Sequence, residues 1–173
     1  GRLVTEYLTL RGIKGWAMAG RSETKLQEVK DEVGVSKDIP LLVADAANPD
    51  SLNALCERAK VILTTVGPYQ LYGSELVAAC ANSGTDYLDL NGEPAWARQM
   101  IDTHDAAAKR SGARIVLSAG FDSIPSDLGV WFLQQEAIKK FGKPAPRVKG
   151  RVREMRGGAS GGSMATAKAT LKA

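Results

Sequence analysis

The chain has 173 residues, 44% of them hydrophobic and 24% charged, which is the profile of a globular protein and excludes a disordered or fibrous one. Its 23 basic residues are scattered among 19 acidic ones, for a net charge of +4, except where Lys143, Arg147, Lys149, Arg151, Arg153 and Arg156 crowd together. With no aromatic side chain interleaved, that stretch reads as a solvated strand or linker and not as a phosphate-binding or membrane-surface patch, and no nucleic-acid partner is expected.

Short apolar runs alternate with amphipathic stretches, the pattern of parallel strands feeding crossover helices. The chain opens on GRLVTEYL, the first turns of a helix with Leu3, Val4 and Leu8 apolar. A doubly wound sheet keeps its first strand in the middle, so a helix at the start predicts that this strand is missing. Strands are predicted at 16–19, 41–44, 61–66, 87–90 and 114–118.

The helices between them have legible ends. Asn48 with Pro49 supplies an N-cap and a first-turn proline, after which Leu52, Leu55, Cys56 and Ala59 share one face. Gly84 closes the helix carrying Leu76, Val77 and Cys80; Pro94 opens the next and Gly112 ends it. Ser126 is expected to cap the helix that holds Leu128, Trp131 and Phe132. Cys56 and Cys80 both fall in apolar helical patterns, as small core residues of a reducing compartment and not a disulfide pair. Beyond them, 148–155 starts a new strand pattern and 164–171 is helix-like again. The expected division is one domain over 1–146 and the start of a second over 147–173, the chain being cut at both ends.

Ligands of a parallel α/β sheet bind beyond the carboxyl ends of its strands, so the residues after each apolar run carry the functional signal. After the first comes Gly20-Arg21-Ser22, with Lys25 one turn on. Dinucleotide folds usually place an acid there for the adenosine ribose; a small residue followed by arginine leaves room for a 2′-phosphate and a planar donor to clamp it, favouring NADP over NAD. Asp45 after the second run either faces the adenine or ends the strand. Val66-Gly67-Pro68-Tyr69 follows the third run: glycine admits a close backbone approach, proline stiffens the turn, and Tyr69 could donate a proton or pack on a ring. A plain loop explains the same residues.

In DYLDLNGE, alternation puts Tyr87, Asp89 and Asn91 on one side, a carboxylate and an amide converging on a polar cleft, while Glu93 beside Pro94 would serve the helix dipole. In GFDSIPSDLG, Gly120 permits a sharp exit from the last strand, and Asp127 meets the positive end of the following helix. Asp122 and Ser123 have no structural duty, which makes them candidates for lining the cleft or relaying a proton, although bonds to loop amides would account for them equally. Arg21, Tyr69, Asn91 and Asp122 are expected along one rim. His104, the one histidine, falls on an inward helical stripe with Ala97, Met100, Ile101 and Ala108, as a packed structural residue, and no metal site is expected. No apolar run approaches the ~20 residues of a membrane span and no leader is visible, so the expected compartment is the cytoplasm, with peripheral membrane contact left open.

AGRS, VGPYQLYG, DYLDLNGE, GFDSIPSDLG and RGGASGGSMAT, in this order, resemble the saccharopine dehydrogenase-like oxidoreductases, in the branch that contains the trans-acting enoyl reductases. The likeness covers nearly the whole chain. It implies a Rossmann-type NADP domain joined to a second α/β domain, and a reductase acting on carbon-carbon double bonds or carbonyls of lipid or polyketide-type substrates. By matching motif it assigns Gly1 to the last glycine of the dinucleotide loop, Arg21 to the 2′-phosphate clamp, and Gly67, Pro68 and Tyr69 to the cofactor side of the cleft. Most of the phosphate loop is absent from the chain, so weak nucleotide binding and an inactive fragment are expected, and a homodimer would form through the missing domain. The resemblance places no catalytic residue; Tyr69, Asp122 and Ser123 are the candidates. Two other readings stand beside it: carbon-nitrogen oxidoreduction as in true saccharopine dehydrogenases, which would need basic residues for substrate carboxylates, and a catalytically silent, lipid-associated scaffold.

Overall fold

The structure, a computed structural model, describes residues 1–154, 156–158 and 161–170. In chain order they form α1 (Arg2–Leu10), β1 (Met18–Gly20), α2 (Glu23–Val33), β2 (Leu41–Val43), α3 (Pro49–Glu57), β3 (Val61–Leu63), α4 (Tyr69–Tyr72), α5 (Ser74–Ser83), β4 (Asp86–Leu88), α6 (Pro94–Ser111), β5 (Ile115–Val116), α7 (Ile124–Phe141) and α8 (Gly161–Thr170). All pairing is parallel. β1 pairs with β2, Met18 opposite Leu41, while β4 stands between β3 and β5 with Asp86 opposite Val61 and Tyr87 opposite Ile115. Two parallel sheets with helices between consecutive strands give the α/β architecture of the doubly wound class.

Each strand is shorter than its apolar run, for local reasons that the third one illustrates. Thr64 still donates its amide to Leu88 across the ladder, but Val66 N then turns back onto the Thr64 hydroxyl at 3.2 Å and the strand ends. The helix ends follow the expected chemistry. Asn48 Oδ1 accepts from Ser51 N with Pro49 in the first turn, and Gly84 and Gly112 terminate α5 and α6 in the left-handed region at φ 82° and 83°.

Two expectations fail. Ser126 is not a cap: α7 starts at Ile124, because Ile124 N already bonds to Gly120 O and Asp127 N to Ser123 O, and Pro125 in the first turn needs no amide partner there. Residues 148–154 form no strand, since no neighbouring strand among the described residues offers them a ladder; Met155 lies outside the described residues. The helix expected at 164–171 is present as α8, with Leu171 outside the described residues. On α6, Met100 and Ala108 are buried and His104 half-buried as expected, but Ile101 is exposed.

The core lies between α3, α5 and α6 and one face of the β3–β4–β5 sheet, where Leu52, Cys56, Leu76, Val77, Cys80, Tyr87, Trp96 and Met100 pack together. Full burial of a side chain such as Val77 contributes roughly 1.5–3 kcal/mol. Cys56 and Cys80 meet there as free thiols, sulfur to sulfur at 3.7 Å. Polar ties close the seams: the Thr85 hydroxyl donates within reach of Cys56 O and Ala59 O, the Ser111 hydroxyl donates to Ala81 O, and Trp96 Nε1 donates to Ser74 Oγ. Val61, Leu63 and Val116 on the other face of this sheet remain exposed, as do Trp131 and Phe132 on α7.

Gly73, between α4 and α5, is fixed by space: a Cβ there would lie 2.7 Å from Trp96 Cζ2 and 2.8 Å from Tyr69 O. Gly73→Ala is expected to cost about 1–3 kcal/mol through overpacking, measured as a lower denaturation midpoint at unchanged slope. A neutral substitution would mean that Trp96 does not pack over this turn.

Candidate functional site

At the carboxyl edge of β3–β4–β5, three loops are drawn together by side chains that follow β4. The alternation that buries Tyr87 carries on through Asp89, Asn91 and Glu93, which are 2%, 2% and 4% exposed. Asp89 Oδ1 accepts from Asn91 N, Asn91 Nδ2 and Ser118 N at 3.1, 2.7 and 2.7 Å, and Oδ2 accepts from the Tyr87 hydroxyl at 2.9 Å. Asn91 Oδ1 in turn accepts from Glu93 N. Glu93 reaches across to the loop after β3, its two oxygens accepting from Tyr69 N at 2.9 Å and Gln70 N at 2.8 Å. Thr166 of α8 donates its hydroxyl to the same carboxylate at 3.2 Å.

The loop after β3 is thereby held from two sides. Pro68 and Tyr69 are buried and the Tyr69 ring sits 5.6 Å from that of Trp96. The Tyr69 hydroxyl donates to Thr64 O at 3.2 Å and accepts from Leu90 N at 3.4 Å. Burial pushes its phenol up to about 12, with the Asp89 and Glu93 charges adding to the effect. Burial raises the Tyr87 phenol still further, again helped by Asp89. Both tyrosines therefore stay protonated as structural donors. Val66 is exposed and Gly67 half-buried at the outer side of the same loop.

The loop after β5 docks on this framework. Ser118 takes a left-handed conformation, φ 57°, while giving its amide to Asp89; a residue other than glycine is held there only by its surroundings. Gly120 packs against the β4 loop so closely that a Cβ would lie 2.7 Å from Leu90 Cβ. Close approach, not a special turn geometry, is what calls for glycine at this position. Asp122 is exposed and Ser123 half-buried at the start of α7, and neither side chain makes a hydrogen bond among the described residues.

The other sheet carries the cations. Gly20 ends β1 against Leu26, and Ser22 Oγ caps α2 by accepting from Lys25 N at 3.3 Å. Arg21 and Lys25 are exposed and have no ion pair among the described residues. Asp45 after β2 is exposed and folds its own turn, Oδ1 accepting from Ala47 N. α1 bridges the two sheets: Gly1 lies beside Thr65 of the β3 loop, and Arg2 pairs with Glu32 of α2 at 2.9 Å.

Of the four residues expected along one rim, the structure joins Tyr69 and Asn91 in one hydrogen-bonded unit and places Asp122 just beyond it. Arg21 belongs to the other sheet. Asp89 and Asn91 do not line an open cleft, because the backbone amides and the hydroxyl that they satisfy are themselves interior. Glu93 is the N-cap residue of α6, the position from which a negative charge serves the helix dipole, yet its side chain makes no cap bond there and closes the first turn of α4. Carrying the alternation one step past Asn91 would have found it. Nothing local signals the backbone of Ser118.

A family model described as the saccharopine dehydrogenase NADP binding domain matches residues 1–116. The chain is 50% identical over 141 residues to a trans-acting enoyl reductase of Mycobacterium leprae and, equally, to one of Mycobacterium ulcerans; each alignment covers 80% of this chain and 34% of the relative. The chain thus spans about a third of the length of these curated relatives. Among solved structures, apo saccharopine dehydrogenase (L-Glu forming) from Saccharomyces cerevisiae superposes with a TM-score of 0.56 at 12% identity, over 82% of this chain and 29% of that one, a likeness of fold.

The raised Tyr69 phenol has a consequence at alkaline pH. Since the folded value of about 12 lies above the ordinary 10.0, the fold is fully supported below pH 10 and loses stability as pH rises from there toward 12. Tyr69→Phe is expected to cost about 1 kcal/mol at neutral pH and to flatten that alkaline loss, as read from denaturant midpoints at about pH 9 and about pH 11. Parallel pH dependences in the two proteins would place the phenol in solvent.

Proposed function

Because the chain belongs to the saccharopine dehydrogenase NADP-binding domain family, we propose that it holds the cofactor for an NADPH-dependent reductase of a carbon-carbon double bond or carbonyl in a lipid or polyketide-type substrate. The observation that carries the reading is the pair of unengaged cations after β1. At the point where a ribose-binding acid would stand, Gly20 carries no side chain, and Arg21 and Lys25 are exposed without an ion pair among the described residues. Arg2, which opens α1, is by contrast committed to Glu32. A dianionic 2′-phosphate suits such a set, with Arg21 offering a planar fork, Lys25 a point charge and Ser22 a hydroxyl.

NADPH supplies the hydride and the protein supplies orientation and electrostatics. In this reading Gly1 and the start of α1 border the diphosphate, Asp45 borders the adenine, and Val66, Gly67 and Pro68 present backbone to the nicotinamide side. Tyr69 acts through the loop it braces, its hydroxyl being engaged by Thr64 and Leu90. Asp122 and Ser123, whose side chains are uncommitted, are the candidates to border the substrate and deliver a proton. Residues 147–173 then begin the substrate domain, with Thr166 already in contact with Glu93. The names of the mycobacterial relatives support the enoyl class of substrate. No helix among the described residues is long and apolar enough to cross a membrane, and the proposed compartment is the cytoplasm.

Titration with NADPH and NADH of a protein that carries the complete phosphate loop, followed by nicotinamide fluorescence, tests the clamp. Arg21→Ala is expected to weaken NADPH about 10- to 100-fold, the worth of a charge-assisted phosphate contact, while leaving NADH unchanged. Equal loss of both would remove Arg21 from the 2′-phosphate.

A further inference from the structure

Asp89 and Glu93 bring two negative charges into the interior without a counter-cation among the described residues. All four of their oxygens receive donors only, as ionised carboxylates require: three backbone amides from other loops, one asparagine amide and its backbone N–H, and the hydroxyls of Tyr87 and Thr166. None of the ion pairs among the described residues involves either one. Neutral dipoles satisfy their hydrogen bonding but leave the net charge in place, where low-dielectric surroundings extend its reach.

The position of this charge gives it a role, on the premise of the cofactor reading above. A doubly wound sheet divides a dinucleotide between its two halves. With the 2′-phosphate assigned to Arg21 on the β1–β2 half, the nicotinamide falls to the loops that Asp89 and Glu93 hold together. We infer that these two carboxylates bias the half-site toward the oxidised ring, so that bound NADPH is a stronger hydride donor than free NADPH. The charge balance is simple. In reduction, a ring C–H bond breaks and its electron pair leaves with the hydrogen to form a C–H bond on the acceptor carbon; the ring, neutral before, becomes a cation, and a proton completes the acceptor separately. Buried anions nearby favour the cationic product over the neutral reactant. Every phosphate charge is common to both forms, so the ratio of their affinities isolates the ring.

Calorimetric dissociation constants for NADP⁺ and NADPH test the inference without relying on turnover. The wild-type protein is expected to bind NADP⁺ more tightly than NADPH. Glu93→Gln, which keeps the shape and removes the charge, should weaken NADP⁺ about tenfold more than NADPH, the scale of one unit charge acting at ~10 Å through an effective dielectric constant of ~20. Glu93→Asp, which keeps the charge and disturbs the geometry, should weaken both forms and preserve their ratio. Equal weakening of both forms in Glu93→Gln would make Glu93 a purely structural clamp and overturn the inference, as would tighter wild-type binding of NADPH. If Glu93→Gln does not fold, Asp89→Asn supplies the same comparison. Binding of neither form by a folded protein that carries the complete phosphate loop would overturn the cofactor reading itself, whereas binding of both with an unchanged ratio in the variants would overturn only this inference.

Discussion

A carboxylate taken out of water is costly unless something equally polar receives it, and the arrangement of this protein's loops follows from how Glu93 and Asp89 are received. Glu93 takes the two amides that begin α4, donors that a helix start would otherwise leave to solvent. Asp89 takes the amide of Ser118 from the loop after β5 and the hydroxyl of Tyr87 from β4. Two side chains that directly flank Leu90-Asn91-Gly92 thus fix the loops after β3, β4 and β5 relative to one another. Remove the carboxylates and the amides of Tyr69, Gln70 and Ser118 are left interior and unpaired, each a penalty of about 1–3 kcal/mol.

Charge is divided between the two sheets accordingly. On β1–β2 the cations stand outward, exposed and uncommitted at Arg21 and Lys25; on β3–β4–β5 the anions stand inward, buried and fully hydrogen-bonded. An outward, unpaired cation can receive a mobile anionic group from solvent, which is what recognition of a phosphorylated ribose demands. An inward, unpaired anion cannot be neutralised by solvent ions and acts on whatever lies beside it. In the proposed reading the first arrangement selects a ligand, and the second sets the electrostatic conditions it meets. α1, with Gly1 at Thr65 and Arg2 on Glu32, is the element that relates the two halves.

What the sequence made legible was local. Apolar runs marked all five strands because burial of one sheet face requires them, and Asn48, Gly84 and Gly112 marked helix ends because capping involves neighbours a few residues away. The exposed position of Arg21 was legible for the same reason, since it is defined by the end of its own strand. Glu93 could not, since its partners lie 23 and 24 residues away and a local reading gave it to the adjacent helix. Gly120 was correctly singled out but for a turn, whereas its need is the nearness of Leu90, a tertiary distance. Ser126 looked like a cap because serine before a periodic run usually is one; the Gly120 carbonyl, already in position to receive Ile124 N, starts the helix earlier. Tyr69 looked catalytic because it follows a strand, and its burial, decided by Trp96 and Glu93, turns it inward.

The claim that buried carboxylates join the three loops is tested most directly by amide hydrogen exchange, resolved residue by residue by nuclear magnetic resonance. The account requires the amides of Tyr69, Gln70 and Ser118, none of them in a strand, to exchange as slowly as Tyr87 in the central strand. Exchange of these three at the rate of the exposed turn around Ala47 would mean that Asp89 and Glu93 do not hold them, and the architecture built on that contact would fall.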